Sequence, residues 1–144
     1  MKLFDSHSHI NDEKFDKDRE KVINEILKSD VELFVTAGYS VESSKRAIEI
    51  SEKNKSSYSI IGISPNDIPQ SIEELWKQLE EIKDLLKTSK KIVAIGEIGL
   101  DYYWNTDNKE LQKKAFCEQI KIANENELPI VIHTREAIMD TLEI

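Results

Sequence analysis

Four residues of this chain have the right chemistry to hold a divalent metal: His7, His9, Glu97 and His133. The first two sit in Met1-Lys-Leu-Phe-Asp-Ser-His-Ser-His-Ile10. In an extended strand Leu3, Asp5, His7 and His9 fall at period two and point the same way. An apolar side chain, a carboxylate and two imidazoles would then share one face. No lysine or arginine separates the imidazoles, which suits a divalent cation better than a packed core. Alone, a His-x-His pair is also at home on a surface or in a turn. Glu97 and His133 extend the set, since neutral imidazoles with a carboxylate match zinc, manganese and similar ions. A carboxylate has two oxygens, so Glu97 can bridge two ions. Metals about 3.5–4 Å apart are the usual arrangement for phosphoester hydrolysis. Taken singly, His133 also fits a hydrogen-bonded core histidine, and Glu97 a helix-cap or loop residue.

These residues are far apart in sequence, so the elements between them must bring them together. Lys2–Asp5 reads as a short strand running into the histidines. Asp16–Ser29 carries Val22, Ile23, Ile26 and Leu27 at helical spacing. Val31–Ala37 is β-rich and stops at Gly38. Ser40 is placed to cap a helix carrying Ala47, Ile48 and Ile50. Tyr58–Ile63 reads as a third strand, broken by Pro65 and Pro69. Ser71-Ile-Glu-Glu74 has the form of a capping box. It opens a helix whose Ile72, Leu75, Trp76, Leu79, Ile82, Leu85 and Leu86 form one apolar face. Ile92–Gly96 is an apolar strand of the kind covered on both faces. After a long loop, Leu111–Glu125 reads as helix, Pro129–Ile132 as strand and Arg135–Ile144 as helix.

Strict β-α alternation implies a parallel sheet with right-handed crossovers. An open doubly wound sheet usually places a glycine-rich phosphate loop after the first strand. Here that position reads His-Ser-His-Ile-Asn, which favours a barrel. Barrel enzymes carry their chemistry at the C-terminal strand ends. The strand ends here are His7 and His9, Ser64, Glu97 and His133, so all three histidines and the glutamate fall on one rim. The expected class is an α/β TIM-type (β/α) barrel, truncated after about five β/α units, with residues 1–144 as one partial domain.

Of the 144 residues, 39% are hydrophobic and 33% charged, a globular composition. The formal charge of -8 argues against binding nucleic acid by bulk electrostatics, though not against an enzyme that touches it briefly. Bound metal would reverse the local sign. The single Cys117 excludes an internal disulfide and sits in a helix pattern. No apolar run is long enough for a bilayer, and the N-terminus lacks a signal-peptide pattern. The expectation is a cytoplasmic protein with no membrane partner.

His7-Ser-His9, Gly96-Glu-Ile-Gly-Leu-Asp-Tyr-Tyr103 and Ile130-Val-Ile-His-Thr-Arg-Glu-Ala137 closely resemble the TatD-like metal-dependent deoxyribonucleases of the amidohydrolase superfamily. The resemblance runs from end to end. The second and third blocks are specific to the family; His-x-His is not. By this resemblance His7 and His9 bind a first ion, Glu97 bridges both ions and His133 binds the second, the ions being zinc, manganese, magnesium or similar. The implied activity is hydrolysis of DNA phosphodiesters, typically from a strand end, by metal-activated water. The alternatives are a related amidohydrolase acting on an ester, lactone or amide, and an inactive half-barrel.

The chain departs from the family pattern in two places. The family's Gly-Ile-His-Pro reads Gly62-Ile-Ser-Pro65 here, so Ser64 offers substrate only a neutral hydrogen bond. By the resemblance, the family's later segment supplies a further histidine to the second ion and an aspartate that binds the first ion and is assigned as general base, and a complete barrel needs about 250 residues. The general base is therefore unassigned in this chain. Asp101 is a candidate for contact with substrate or with the outer side of a ligand. Arg135 either meets phosphate in a bidentate way or pairs with Glu136 or Glu97. Tyr102, Tyr103 and Trp104 either stack on bases or clamp the loop, with packing favoured for at least one. Tyr102 is the candidate substrate contact. Five strands cannot close an eight-stranded barrel, so open edges at strands one and five predict self-association, or a fragment of a longer product.

Overall fold

Strand and helix alternate along the whole chain in the computed structural model, which describes Met1–Ile144. The elements are β1 (Leu3–Ser8), a 3-10 turn (Glu13–Phe15), α1 (Arg19–Lys28), β2 (Val31–Ala37), α2 (Val41–Lys53) and β3 (Ser57–Ile61). They continue with α3 (Ile72–Leu86), β4 (Ile92–Asp101), α4 (Lys109–Glu125), β5 (Ile130–Arg135) and α5 (Ile138–Glu143). The strands form one parallel sheet in the order β1-β2-β3-β4-β5. A doubly wound sheet reverses its strand order at a switch point. This one never does, and it curls into half of a (β/α) barrel.

Local chemistry explains where the helices begin. The Ser40 hydroxyl accepts from the Ser43 amide at 3.2 Å, and the Ser43 hydroxyl accepts from the Ser40 amide at 2.8 Å. This is a complete reciprocal cap. At α3 only half of the expected box forms. Ser71 accepts from the Glu74 amide at 3.2 Å, while the Glu74 carboxylate leans towards Lys77 at 3.9 Å.

The main core lies between the sheet and α3 and α4. Leu75, Leu79 and Ile82 of α3 and Phe116 and Ile122 of α4 close over Ile61, Ile95, Ile98 and Leu100. A second cluster joins Phe34 of β2 to Ile23 of α1 and Ile50 of α2. Val35 and Ala37 alternate with Phe34, so they point to the opposite, concave face. There they meet Ile60 and Ala94. Both ends of the sheet are open: β1 pairs only with β2 and β5 only with β4. Phe4 is 62% exposed on one edge and Ile132 47% exposed on the other.

Two strands run further than the hydrophobic pattern indicates. β4 continues past Gly96 to Asp101 and β5 past Ile132 to Arg135. Gly99 pairs with His133, Leu100 with Thr134 and Asp101 with Arg135. Gly99 makes this possible. Its φ is +142°, and a Cβ there would stand 2.0 Å from the His133 carbonyl oxygen. An L side chain would be strained and in collision with backbone. Gly99→Ala is therefore expected to cost at least about 1–3 kcal/mol. A urea melt followed by circular dichroism would show this as a lower midpoint; an unchanged midpoint would contradict it.

Candidate metal centre

Irregularities in two strands aim the side chains of the centre. Between Asp5 and Ser8, β1 advances three residues while β2 advances two, from Phe34 to Thr36. Between Ile95 and Ile98, β4 likewise advances three residues while β5 advances two, from Ile130 to Ile132. Such one-residue bulges bend a strand and re-aim its side chains. His7 lies in the first bulge and Glu97 in the second. The first bulge also breaks the period-two register expected for Asp5. Its carboxylate turns back and accepts from the His7 amide at 3.2 Å, so Asp5 does not join the imidazoles. Glu97 donates its own amide to the Gly38 carbonyl at 3.0 Å. It therefore lies within a continuing strand and not at the strand end expected from sequence.

The structure brings all four expected ligands together. His7 Nε2 and His9 Nε2 are 3.2 Å apart, and each is 3.5 Å from Glu97 Oε2. His133 Nδ1 is 3.3 Å from the other oxygen, Oε1. One carboxylate thus faces two imidazoles with one oxygen and a third imidazole with the other. The ligand atoms of His7, His9 and Glu97 lie within 4.8 Å of one another. His9 Nδ1 is 3.1 Å from the Ala37 carbonyl. A carbonyl only accepts, so Nδ1 carries the proton and Nε2 presents its lone pair. Neutral imidazoles with one carboxylate fit a borderline divalent ion.

The surrounding cavity holds about 320 Å³ and is lined by His9, Asp12, Lys14, Tyr39, Ser64, Asn66, Asp67, Glu97 and His133. Lys14 is its one cation. Lys14, Asn66 and Asp67 were not legible beforehand, because they sit in connections without periodicity. Proximity of Pro65 to a strand end is the only signal that marked the Asn66–Asp67 turn.

Asp101 is fully buried. Sequence placed it in a loop near the rim; it is the last residue of β4. Its Oδ2 is 2.9 Å from His133 Nε2 and accepts from Asn66 at 3.1 Å. Its Oδ1 accepts from the Tyr103 and Trp104 amides at 3.0 and 3.3 Å. Burial works to raise its pKa, but these donors outweigh burial and hold the group below the usual carboxylate range. It is therefore ionised at neutral pH.

The three expected substrate contacts fare differently. Ser64 lines the cavity, but its hydroxyl donates to Asp67 Oδ2 at 2.5 Å, so that proton is already committed. Arg135 makes neither expected ion pair. Its guanidinium stacks on Tyr103, 3.7 Å from the ring centroid, and lies 5.3 Å from that of Trp104, a cation–π arrangement. Tyr102 turns away from the cavity, contrary to the expected substrate contact: its ring is in the main core and its hydroxyl donates to Asp140 at 2.7 Å. That bond clamps the β4–α4 connection to α5. Tyr103 and Trp104 remain exposed.

A model of the TatD-related DNase family matches residues 4–144. This chain belongs to that family. A metal-dependent hydrolase of Bacillus subtilis, YabD, is 42% identical over 142 residues, covering 99% of this chain and 54% of that protein. The 3'-5' ssDNA/RNA exonuclease TatD of Shigella flexneri is 31% identical over 136 residues, covering 94% of this chain and 50% of that protein. The TatD homologue YjjV of Escherichia coli K12 superposes with a TM-score of 0.84 at 25% identity, covering 98% of this chain and 54% of the other. The chain spans about half the length of the TatD relatives it matches. No helix is long and apolar enough to cross a membrane.

Asp67 offers a test of the electrostatics around this TatD site. Burial raises its pKa, the Ser64 hydroxyl partly offsets this, and nearby Glu97 raises it further. A carboxylate with a raised folded-state pKa stabilises the fold relatively most below its unfolded pKa, and that contribution is lost as pH rises through the folded value. Asp67→Asn should therefore stabilise chelator-treated protein near neutral pH. The gain should vanish below about pH 3.9, the ordinary aspartate value. Thermal melts of parent and variant across that range give the sign, and a variant less stable than the parent near neutral pH would reverse it.

Proposed function

We propose that this chain carries four of the metal ligands of a TatD-type deoxyribonuclease, a metal-dependent hydrolase that cleaves phosphodiester bonds in DNA. The observation that carries the reading is the Glu97 carboxylate, with Oε2 towards His7 and His9 and Oε1 towards His133. In this reading His7 and His9 would hold one ion, His133 would hold a second, and Glu97 would be shared between them. Zinc and manganese suit the imidazole-rich set best; magnesium prefers more oxygen ligands. A divalent ion held there supplies Lewis acidity, activating water and offsetting phosphate charge.

The chain's own residues then do three things. His9, fixed by the Ala37 carbonyl, presents one nitrogen without losing rotamer freedom on binding. The bond from the Glu97 amide to the Gly38 carbonyl fixes the strand that carries its carboxylate. Lys14, at the cavity wall, meets the phosphate of a bound strand. The general base is not assigned to any residue of 1–144. The Shigella relative's name supports a single-stranded nucleic acid as substrate class.

Metal content by elemental mass spectrometry, with a His7→Ala/His9→Ala double variant alongside, tests the site. Stoichiometric metal in the parent and its loss in the variant is expected. No metal in either after metal-replete purification overturns the reading. Single-stranded DNA, RNA and a small ester then separate the substrate classes: cleavage of DNA that chelator abolishes supports the proposal, and ester turnover alone sinks it.

The open edges form part of the same reading. Residues 1–144 alone should self-associate through β1 and β5, where Leu3, Phe4 and Ile132 are exposed. Light scattering should give at least a dimer, and Phe4→Lys with Ile132→Lys should lower the mass. A well-folded monomer at high concentration would contradict this.

A further inference from the structure

We infer that Asp101 is the positioning residue that decides which nitrogen of His133 faces Glu97. The inference rests on the metal-site reading above, but the observations that carry it concern hydrogen bonds alone. His133 stands between two carboxylates: Nδ1 is 3.3 Å from Glu97 Oε1 and Nε2 is 2.9 Å from Asp101 Oδ2. Both are acceptors, and a neutral imidazole has one N–H to give. The two carboxylates therefore compete for one proton.

Asp101 wins that competition on three physical grounds. Its contact is the shorter. Its carboxylate is fully buried, where a hydrogen bond is stronger and an unmet acceptor is costly. Glu97 keeps 19% of its side chain accessible. Third, Asp101 cannot swing away. The Tyr103 and Trp104 amides and the Asn66 amide hold its oxygens. Gln112 of α4 holds its backbone from both sides, accepting from the Asp101 amide at 2.8 Å and donating to its carbonyl at 3.0 Å. Asp101 Oδ2 is the hydrogen-bond partner of His133 Nε2. The proton therefore sits on Nε2, and the Nδ1 lone pair points towards Glu97. The tautomer of a metal-binding histidine is set by the bond its other nitrogen makes.

The test is Asp101→Asn. The amide oxygen keeps the Tyr103 and Trp104 donors, so the NH2 group must face His133. A donor there requires Nε2 to accept, which moves the proton to Nδ1 and blocks the lone pair. Nitrogen-15 spectra of histidine-labelled, metal-free protein report the tautomer directly. They are recorded well above the ordinary imidazole value of about 6.5. The parent is expected as Nε2–H and the variant as Nδ1–H. A parent in the Nδ1–H form, or a variant that keeps the parent tautomer, overturns the inference. The parent spectrum alone decides it if the variant does not fold. Asn66→Ala, which leaves the carboxylate in place, is expected to keep the parent tautomer; a switch there would overturn it as well.

Metal titration provides the separate readout. Binding of zinc at the site that includes His133 should fall about 10- to 100-fold in Asp101→Asn, while uptake at His7 and His9 persists. A tautomer switch in a protein that takes up no zinc would overturn the metal-site reading and leave Asp101's role standing. Full zinc uptake without a tautomer switch would do the reverse.

Discussion

The position of one carboxylate, Glu97, constrains the rest of this molecule. It must face imidazoles carried by β1 and by β5, at opposite edges of a five-stranded sheet. A flat sheet would hold those edges too far apart, since neighbouring strands lie about 4.8 Å from each other. The sequential parallel order curls the sheet, and the curl brings β1 round towards β4, with which β5 already pairs. The bulge in β4 then lifts Glu97 out of the ladder, and its amide bonds to Gly38 at the top of β2. The core below, packed by α3 and α4, is what keeps this arrangement rigid.

Two of the three histidines are oriented by acceptors on their far side. His9 is held by a backbone carbonyl and His133 by a buried carboxylate. Both acceptors are themselves fixed: Ala37 closes β2, and Asp101 closes β4 under four donors. Burying polar groups in this way is tolerated because nearly every one finds a partner. The polar network is thus a second, hydrogen-bonded layer above the hydrophobic one. Its members come from the loops after β3 and β4, which supply Asn66 and the Tyr103 and Trp104 amides.

The aromatic run after β4 divides its work. Tyr102 packs inward and ties the loop to α5 through Asp140, while Tyr103 and Trp104 stay outside with Arg135 stacked against them. A run of three aromatics therefore does not behave as one unit. The three lie in the turn after β4, whose backbone sends Tyr102 into the core and leaves Tyr103 and Trp104 outside.

Much of the plan was legible beforehand. Alternating periodicity named the β/α order, the apolar face of α3 and the cap at Ser40, because those signals are local and repeat along the chain. His7, His9, Glu97 and His133 could be grouped because residue type limits what they can do and strand ends limit where they lie. Strand length, register and the fate of Asp5, Ser64, Tyr102 and Asp101 were not legible. The bulges in β1 and β4 shift register by one residue, and nothing in a hydrophobic pattern records such a shift. Gly99 reads as a loop residue until β5 is seen 2.0 Å from where its Cβ would be. Asp101 reads as solvated until Asn66 and His133, 35 and 32 positions away, close over it. Residue chemistry determined which groups could bind and react. Only the tertiary structure decided which of them meet, because long-range pairing sets their distances and the hydrogen-bond partners around them.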